Sequence, residues 1–457
     1  MPVTDSMFLL AESREHPMHV GGLQLYQPPQ GAGPDFVGDL YHRLLATDEV
    51  RPLFRRRPRG PVSSLGQWAW ANDDDLDLEY HVRLSALPRP GRVRELLELT
   101  SRLHGSLLDR HRPLWEFHLI EGLADGRFAT YNKIHHALLD GVSALRLLES
   151  TLSTDPDDRN LGAPWAPVER SGRARPAGNG TPGPLRALRS AASAVGDVVG
   201  LAPVLVKLAN QVLREQAATM PFQAPRSMLN VPITGARRFA AQAYPLERIN
   251  AVRKAASATL NDVVLAMCSG ALRQYLLDLD ALPDRSLVTA VPVSLRGADR
   301  GGSDGGNAVG IILCTLATDL PDPAARLAAI RTSMQRGKRV YAGLSPLQVT
   351  AITALALAPM ALSPIPGVVQ LTRPAFNLII SNVPGPRRPL YWNGARLQGT
   401  YPVSIPYEGQ ALNITVTSYD GSLDFGLTGC RRSVPHLQRM LGHLETALAD
   451  LEKAVIA

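Results

Sequence analysis

The sequence predicts a two-part α/β protein in which mixed sheets carry packed helices, and three observations lead there. The second half alternates short β-rich runs, at Leu287–Val293, Val309–Leu316, Asn377–Asn382 and Leu412–Tyr419, with helical patterns at Leu260–Leu279, Ala324–Arg339 and Val434–Ala457. The first half has the same grain, with strands at Gly22–Tyr26 and Arg127–Ile134 and a helix at Val93–Leu108. Between them, Asp155–Pro184 has almost no aliphatic side chains and reads as a linker. The expected division is therefore 1–154, a connector over 155–225, and 226–457.

Two apolar segments complete the layout. After the linker, Leu185–Ala217 is apolar at a mostly three-to-four-residue rhythm, strained at Pro203, as in a pair of amphipathic helices packed between domains or resting on a lipid surface. From Arg339 to Arg373 no charge interrupts the chain, a length that could cross a bilayer. Pro359, Pro364 and Pro366 break it, so two short apolar helices are expected instead. Ala351, Ala354 and Ala358 then share one helix face made only of methyl groups, open to a close neighbour that is either another helix or an acyl chain.

Composition narrows the class. With 457 residues, 45% of them hydrophobic, the chain can fill real cores, which excludes a disulfide-stapled scaffold or a disordered tail. The net charge is +7, but only five of the 48 basic residues are lysines, a bias that argues against a designed polybasic, nucleic-acid-binding surface. Cys268, Cys314 and Cys430 lie far apart in apolar runs, as expected of buried thiols in a reducing cytoplasm. The first fifteen residues offer only Phe8–Ala11 as an apolar stretch, too short and too acidic in its flanks for a secretory signal.

The sharpest local feature is Tyr131-Asn-Lys-Ile-His-His-Ala-Leu-Leu-Asp-Gly, an alternating strand that delivers His135 and His136 to its end just before a helix begins near Gly141. A base placed there sits on rigid backbone at the mouth of a cleft, and Asp140 on the turn can anchor the loop by accepting hydrogen bonds or by pairing with an arginine such as Arg296. A metal site would need a third ligand and lacks the H-E-x-x-H register, so no metal is expected. A serine hydrolase would need G-x-S-x-G, and P-loop and dinucleotide fingerprints are absent too. What remains is a structural histidine pair or direct acyl transfer with histidine as base.

His135-His136-Ala-Leu-Leu-Asp140-Gly141 resembles the H-H-x-x-x-D-G signature of the CoA-dependent acyltransferase superfamily, which includes condensation domains of peptide synthetases. Its surroundings resemble more specifically the bacterial wax ester synthase/diacylglycerol acyltransferase family: Pro17-Met-His-Val-Gly-Gly, Pro113-Leu-Trp-Glu, Asn261-Asp-Val-Val-Leu-Ala, Pro292-Val-Ser-Leu-Arg and Ser381-Asn-Val-Pro-Gly-Pro. The resemblance runs from Asp5 to the C-terminal helix.

It implies two chloramphenicol-acetyltransferase-like subdomains with a tunnel between them. Acyl-CoA is then the donor substrate, no cofactor is bound permanently, and a fatty alcohol or diacylglycerol is the acceptor. It also implies His136 as the base, with His135 supporting the loop. Asn261 and Asp262 have the residue types of a helix N-cap, and the resemblance suggests that this helix start also helps hold the reacting carbonyl. Trp115 can pack the cleft wall or the core, and Arg55, Arg56 and Arg57, in the densest basic run, suit CoA phosphates or anionic head groups unless they form a merely solvated loop. Insoluble acceptors and products imply a cytoplasmic protein in peripheral contact with the inner membrane or lipid inclusions, through Ala351–Leu371 or Leu185–Ala217. A carrier-protein-dependent condensing enzyme and a non-catalytic lipid binder on the same fold are the alternatives.

Overall fold

The computed structural model describes residues 1, 3–60, 68–167, 219, 223–294, 309–342, 353 and 368–456. In chain order, the N-terminal half supplies β1 (His19–Gln27), a ribbon of β2 (Arg56–Arg59) and β3 (Ala69–Asn72), then β4 (Val82–Ala86), β5 (Trp115–Glu121) and β6 (Phe128–His135). The C-terminal half supplies β7 (Arg237–Pro245), β8 (Val288–Ser294), β9 (Val309–Thr315), β10 (Leu378–Val383), β11 (Tyr391–Trp392), β12 (Ala395–Val403), β13 (Leu412–Tyr419) and β14 (Ser422–Cys430).

Two six-stranded sheets result, ordered β11-β12-β1-β6-β5-β4 and β7-β14-β13-β10-β8-β9. Both are mixed. In the first, β1 runs antiparallel to β12 and β6 while β4 and β5 are parallel; in the second, β10 is parallel to β8 and β13. The expected boundary at 226 is therefore incomplete, because β11 and β12 leave the C-terminal half and pair with β1 of the N-terminal sheet.

The crossing is held by polar contacts between the sheets. Asp424 Oδ2 on β14 accepts the Thr400 N–H at 2.8 Å, and Ser404 N–H donates to Thr428 Oγ1 at 3.1 Å. A Cβ on Gly426 would come within 2.0 Å of the Pro402 carbonyl oxygen, so only glycine lets β12 pass this close over β14.

The C-terminal core centres on the helix Leu260–Leu277, whose side chains are buried almost all round against the helices Pro323–Tyr341 and Arg439–Val455. Gly270 lets Ala447 of the last helix approach, since a Cβ there would sit 2.8 Å from the Ala447 Cβ. Among the described residues no single helix is long and apolar enough to cross a membrane. All three cysteines are buried and unpaired. The segments Leu185–Ala217 and Gly301–Gly306, together with Arg296, Ala351, Ala354 and Ala358, lie outside the described residues, as does most of the uncharged run between Arg339 and Arg373.

Candidate active site

β6 carries the histidine pair to the edge of a cleft. His135 is its last residue, in register with His19 on β1, and the His136 N–H continues the ladder by donating to the Met18 carbonyl at 2.9 Å. The chain then turns, and Asp140 caps the helix Gly141–Glu149. Its Oδ1 accepts the Ser143 N–H at 2.8 Å and its Oδ2 accepts the Ser143 hydroxyl at 2.9 Å. Asp140 is thus the N-cap of that helix. At Gly141 an added Cβ would meet nothing within 4 Å, so packing does not demand glycine there.

The two imidazoles have different surroundings. His135 is fully buried. Its Nδ1 accepts the Ala137 N–H at 3.1 Å, which places the ring hydrogen on Nε2, 3.3 Å from Glu12 Oε1. Glu12, just beyond the helix Val3–Ala11, also accepts from the Met18 N–H and, through Oε2, from Arg110 Nε and Nη2 at 3.1 Å. Burial alone would raise the Glu12 pKa, but the contacts to His135, Met18 and Arg110 outweigh it and hold the carboxyl below its usual range.

The ring of His136 stacks on Phe8, with centroids 4.1 Å apart and planes at 24°. No other described residue hydrogen-bonds to a His136 ring nitrogen. Burial depresses its pKa to about 4 against the opposing pull of the Asp140 carboxylate, so the ring is neutral at pH 7 and has a lone pair to offer.

That ring opens into a cavity of about 370 Å³ at the junction of the two sheets. One side is Val20, Gly21 and Gly22 of β1, Asn132 of β6, and Val142, Ala144, Leu145 and Leu148 of the helix capped by Asp140. The other side is Pro292, Ile379, Ser381, Val383, Asn413 and Thr415, closed by Pro402–Ile405 and Tyr407 at the end of the crossing strand. The lining is mostly apolar with a few convergent polar groups, the composition of a site that buries a hydrophobic ligand and fixes one polar end.

Behind the cavity lies a buried polar layer. His104 Nε2–H donates to the Ser404 carbonyl at 3.0 Å, so Nδ1 accepts the Tyr131 hydroxyl at 2.8 Å, and burial pushes the His104 pKa down to about 3. On the neighbouring strands Lys133 Nζ sits 2.9 Å from Glu116 Oε2. Burial alone would raise the Glu116 pKa, but His118 and Lys133 outweigh it and bring it to about 2. These groups stiffen the strands that present Asn132 and His136.

Other sequence-predicted residues do not meet at the cavity. Asn261 and Asp262 do not line it, and the cap lies two residues earlier than Asn261. Thr259 is the N-cap, its Oγ1 accepting the Asp262 N–H at 3.2 Å while Asp262 Oδ2 accepts the Thr259 N–H at 2.9 Å, a reciprocal capping box. Trp115 is a core residue away from the cavity wall. Its Nε1–H donates to the Phe54 carbonyl at 2.8 Å, and its ring stacks on His81 and Trp165. Arg55 donates to the Asp73 carbonyl at 3.2 Å, and Arg56 and Arg57 lie on the β2–β3 ribbon; none of the three lines the cavity. Conversely, Phe8, Glu12 and Arg110 belong to the site by geometry although no local motif marks them. Among the described residues no cluster of three histidine, cysteine, aspartate or glutamate side chains is placed to hold a metal.

Comparison with known proteins gives a family match over both halves of the chain. Residues 1–264 match the model for the wax ester synthase/diacylglycerol acyltransferase catalytic domain, and residues 305–452 match that for the C-terminal domain of the same family. A Mycobacterium tuberculosis protein named "probable diacylglycerol O-acyltransferase tgs2" is 57% identical, covering 100% of this chain and 99% of the relative. The solved wax ester synthase/diacylglycerol acyltransferase of Marinobacter aquaeolei VT8 is 45% identical, covers 100% of this chain and 99% of its own, and superposes with a TM-score of 0.80. A condensation domain of the calcium-dependent antibiotic synthetase shares the fold at a TM-score of 0.59 and 17% identity.

Proposed function

The chain belongs to the wax ester synthase/diacylglycerol acyltransferase family and is an acyltransferase, and from that premise we propose that it moves a long-chain acyl group from acyl-CoA to the hydroxyl of a fatty alcohol or diacylglycerol, with His136 as the general base. The observation that carries this reading is the His136 ring, held neutral by burial and open to a mostly apolar cavity at the sheet junction. A neutral imidazole whose ring nitrogens accept no hydrogen bond from another described residue can take a hydroxyl proton, whereas one tied up in an ion pair does not.

The reaction needs no covalent enzyme intermediate, because the thioester is already activated. A ring nitrogen of His136 accepts the hydroxyl proton as the acceptor oxygen attacks the thioester carbon. The oxyanion so formed meets the Ser381 hydroxyl, which lines the cavity and has no partner among the described residues. Collapse re-forms the carbonyl and breaks the carbon–sulfur bond, and the CoA thiolate takes the proton back from the imidazolium. His135, locked between Glu12 and the Ala137 amide, positions the turn and is not itself the base.

Peripheral contact with a lipid surface belongs to the same proposal. The helix Val3–Ala11 exposes Met7 and Leu10 while Phe8, between them, covers His136, so one element links a solvent-facing apolar edge to the site. Purified protein given palmitoyl-CoA and either hexadecanol or dioleoylglycerol should release free thiol in proportion to the ester formed. Absence of thiol release with both acceptors would overturn the reading.

A further inference from the structure

Opposite His136 the apolar lining is interrupted by three linked polar side chains. Ser404, at the end of the crossing strand, and Thr415, on β13, have their hydroxyl oxygens 2.6 Å apart. The Thr415 hydroxyl donates to Asn413 Oδ1 at 3.1 Å, which commits its hydrogen, so the Ser404 hydroxyl is the donor in the first bond. Asn413 Nδ2 in turn donates one N–H to the Ile405 carbonyl at 3.2 Å.

Counting donors and acceptors along this ladder leaves a definite remainder. All three residues line the cavity, and the second N–H of Asn413 has no acceptor among the described residues. The Ser404 oxygen keeps unused lone pairs. An alkyl alcohol placed with its hydroxyl at His136 lays only CH₂ groups against this wall and leaves the amide N–H unpaired. A diacylglycerol carries an ester carbonyl on the carbon adjoining the reacting one, and that oxygen accepts what the amide has to give.

We infer that the Ser404–Thr415–Asn413 ladder is the specificity determinant that favours acceptors bearing an ester carbonyl beside the reacting hydroxyl, that is acylglycerols, over simple long-chain alcohols. The inference rests on the acyl-transfer reading and names which of its two acceptor classes the site is built for. A site that hydrogen-bonds a substrate group discriminates against an analogue lacking it more strongly than an apolar pocket discriminates by size.

The test is a ratio. Initial rates with palmitoyl-CoA are measured for dioleoylglycerol and for hexadecanol on the same preparation, comparing the unaltered chain with Asn413→Leu and with Ser404→Ala, each checked for folding by circular dichroism. The ratio of dioleoylglycerol to hexadecanol kcat/KM should fall about tenfold in Asn413→Leu, the worth of one well-made hydrogen bond, and less in Ser404→Ala. A ratio unchanged within about twofold in a folded Asn413 variant overturns the inference. So does an equal fall for both acceptors, the result expected if the ladder held the pantetheine arm of CoA or merely braced the strand. If Asn413→Leu does not fold, the smaller Asn413→Ala, which removes the same N–H, decides in its place. Loss of the acyl-transfer reading itself is a separate outcome, seen as no thiol release from the unaltered chain with either acceptor.

Discussion

Phe8 lies face to face with His136, 4.1 Å between ring centroids, so a residue from the N-terminal helix covers the imidazole that β6 delivers to the cavity. The stack excludes water from one face of the ring, and burial is the main reason its pKa falls to about 4. A base is competent only when unprotonated. The acid limb of kcat/KM should therefore bend near pH 4 and leave activity level through neutrality, whereas an ordinary histidine would bend it near its unperturbed value of ~6.5. Phe8→Ala exposes the ring, and the bend should move upward by a measurable fraction of that interval. A pH profile of the variant that coincides with the unaltered one would show that Phe8 does not set the base.

His136→Ala removes the only group proposed to take the hydroxyl proton, and turnover should fall by ~10²-fold or more, the range of a general base. The fold should survive, because no hydrogen bond of another described residue depends on that ring. His135→Ala should lose less turnover and more stability, since its ring is buried between the Ala137 amide and Glu12. Rates and melting curves on both variants separate the roles, and reversed effects would exchange the assignments within the pair.

Glu12 gathers Arg110, the Met18 amide and the His135 ring onto one buried carboxylate. Glu12→Ala removes the carboxylate beside the His135 ring, leaves the Met18 N–H and part of the guanidinium without partners, and should cost about 2 kcal/mol in a urea melt, the scale of a charged hydrogen bond lost inside a protein. Arg110 retains some exposure and can rehydrate, which limits the loss. Glu12→Gln keeps an acceptor for the Met18 N–H and should recover part of it. If Glu12→Ala melts like the unaltered chain, the carboxylate does not hold the turn.

What the sequence makes legible follows from distance along the chain. His135, His136, Asp140 and the helix after Gly141 are neighbours in sequence, so strand, turn and cap can be read together. Glu12 and Phe8 reach the same turn from more than a hundred residues away, and nothing local marks them. The strand β12 is hidden for a second reason. Its Ala395–Val403 run, ARLQGTYPV, has few β-branched residues, and its place beside β1 depends on Gly426 opening the crossing rather than on its own pattern. The cap at Asn261 and Asp262 was readable but displaced: Thr259 and Asp262 form the T-x-x-D capping box, which puts the cap before Leu260 and both predicted residues inside the first turn.

Asp424 is the buried carboxyl at the crossing of β12 over β14. Its Oδ2 accepts the Thr400 N–H and its Oδ1 accepts the Ser422 hydroxyl at 2.7 Å, yet burial dominates and raises its pKa to about 7. The unfolded chain gives up this proton near ~4. Between about pH 4 and pH 7 the folded state therefore holds a proton that the unfolded state has lost, and stability falls as pH rises through that window before levelling off above it. Asp424→Asn keeps an oxygen for the Thr400 N–H and presents an NH₂ that can donate to the Ser422 oxygen, with no charge to bury. The variant should equal the unaltered chain near pH 4 and exceed it at pH 8, with a flatter urea midpoint between. If the two midpoints run parallel across that range, Asp424 does not titrate with the raised value and the crossing tolerates its charge.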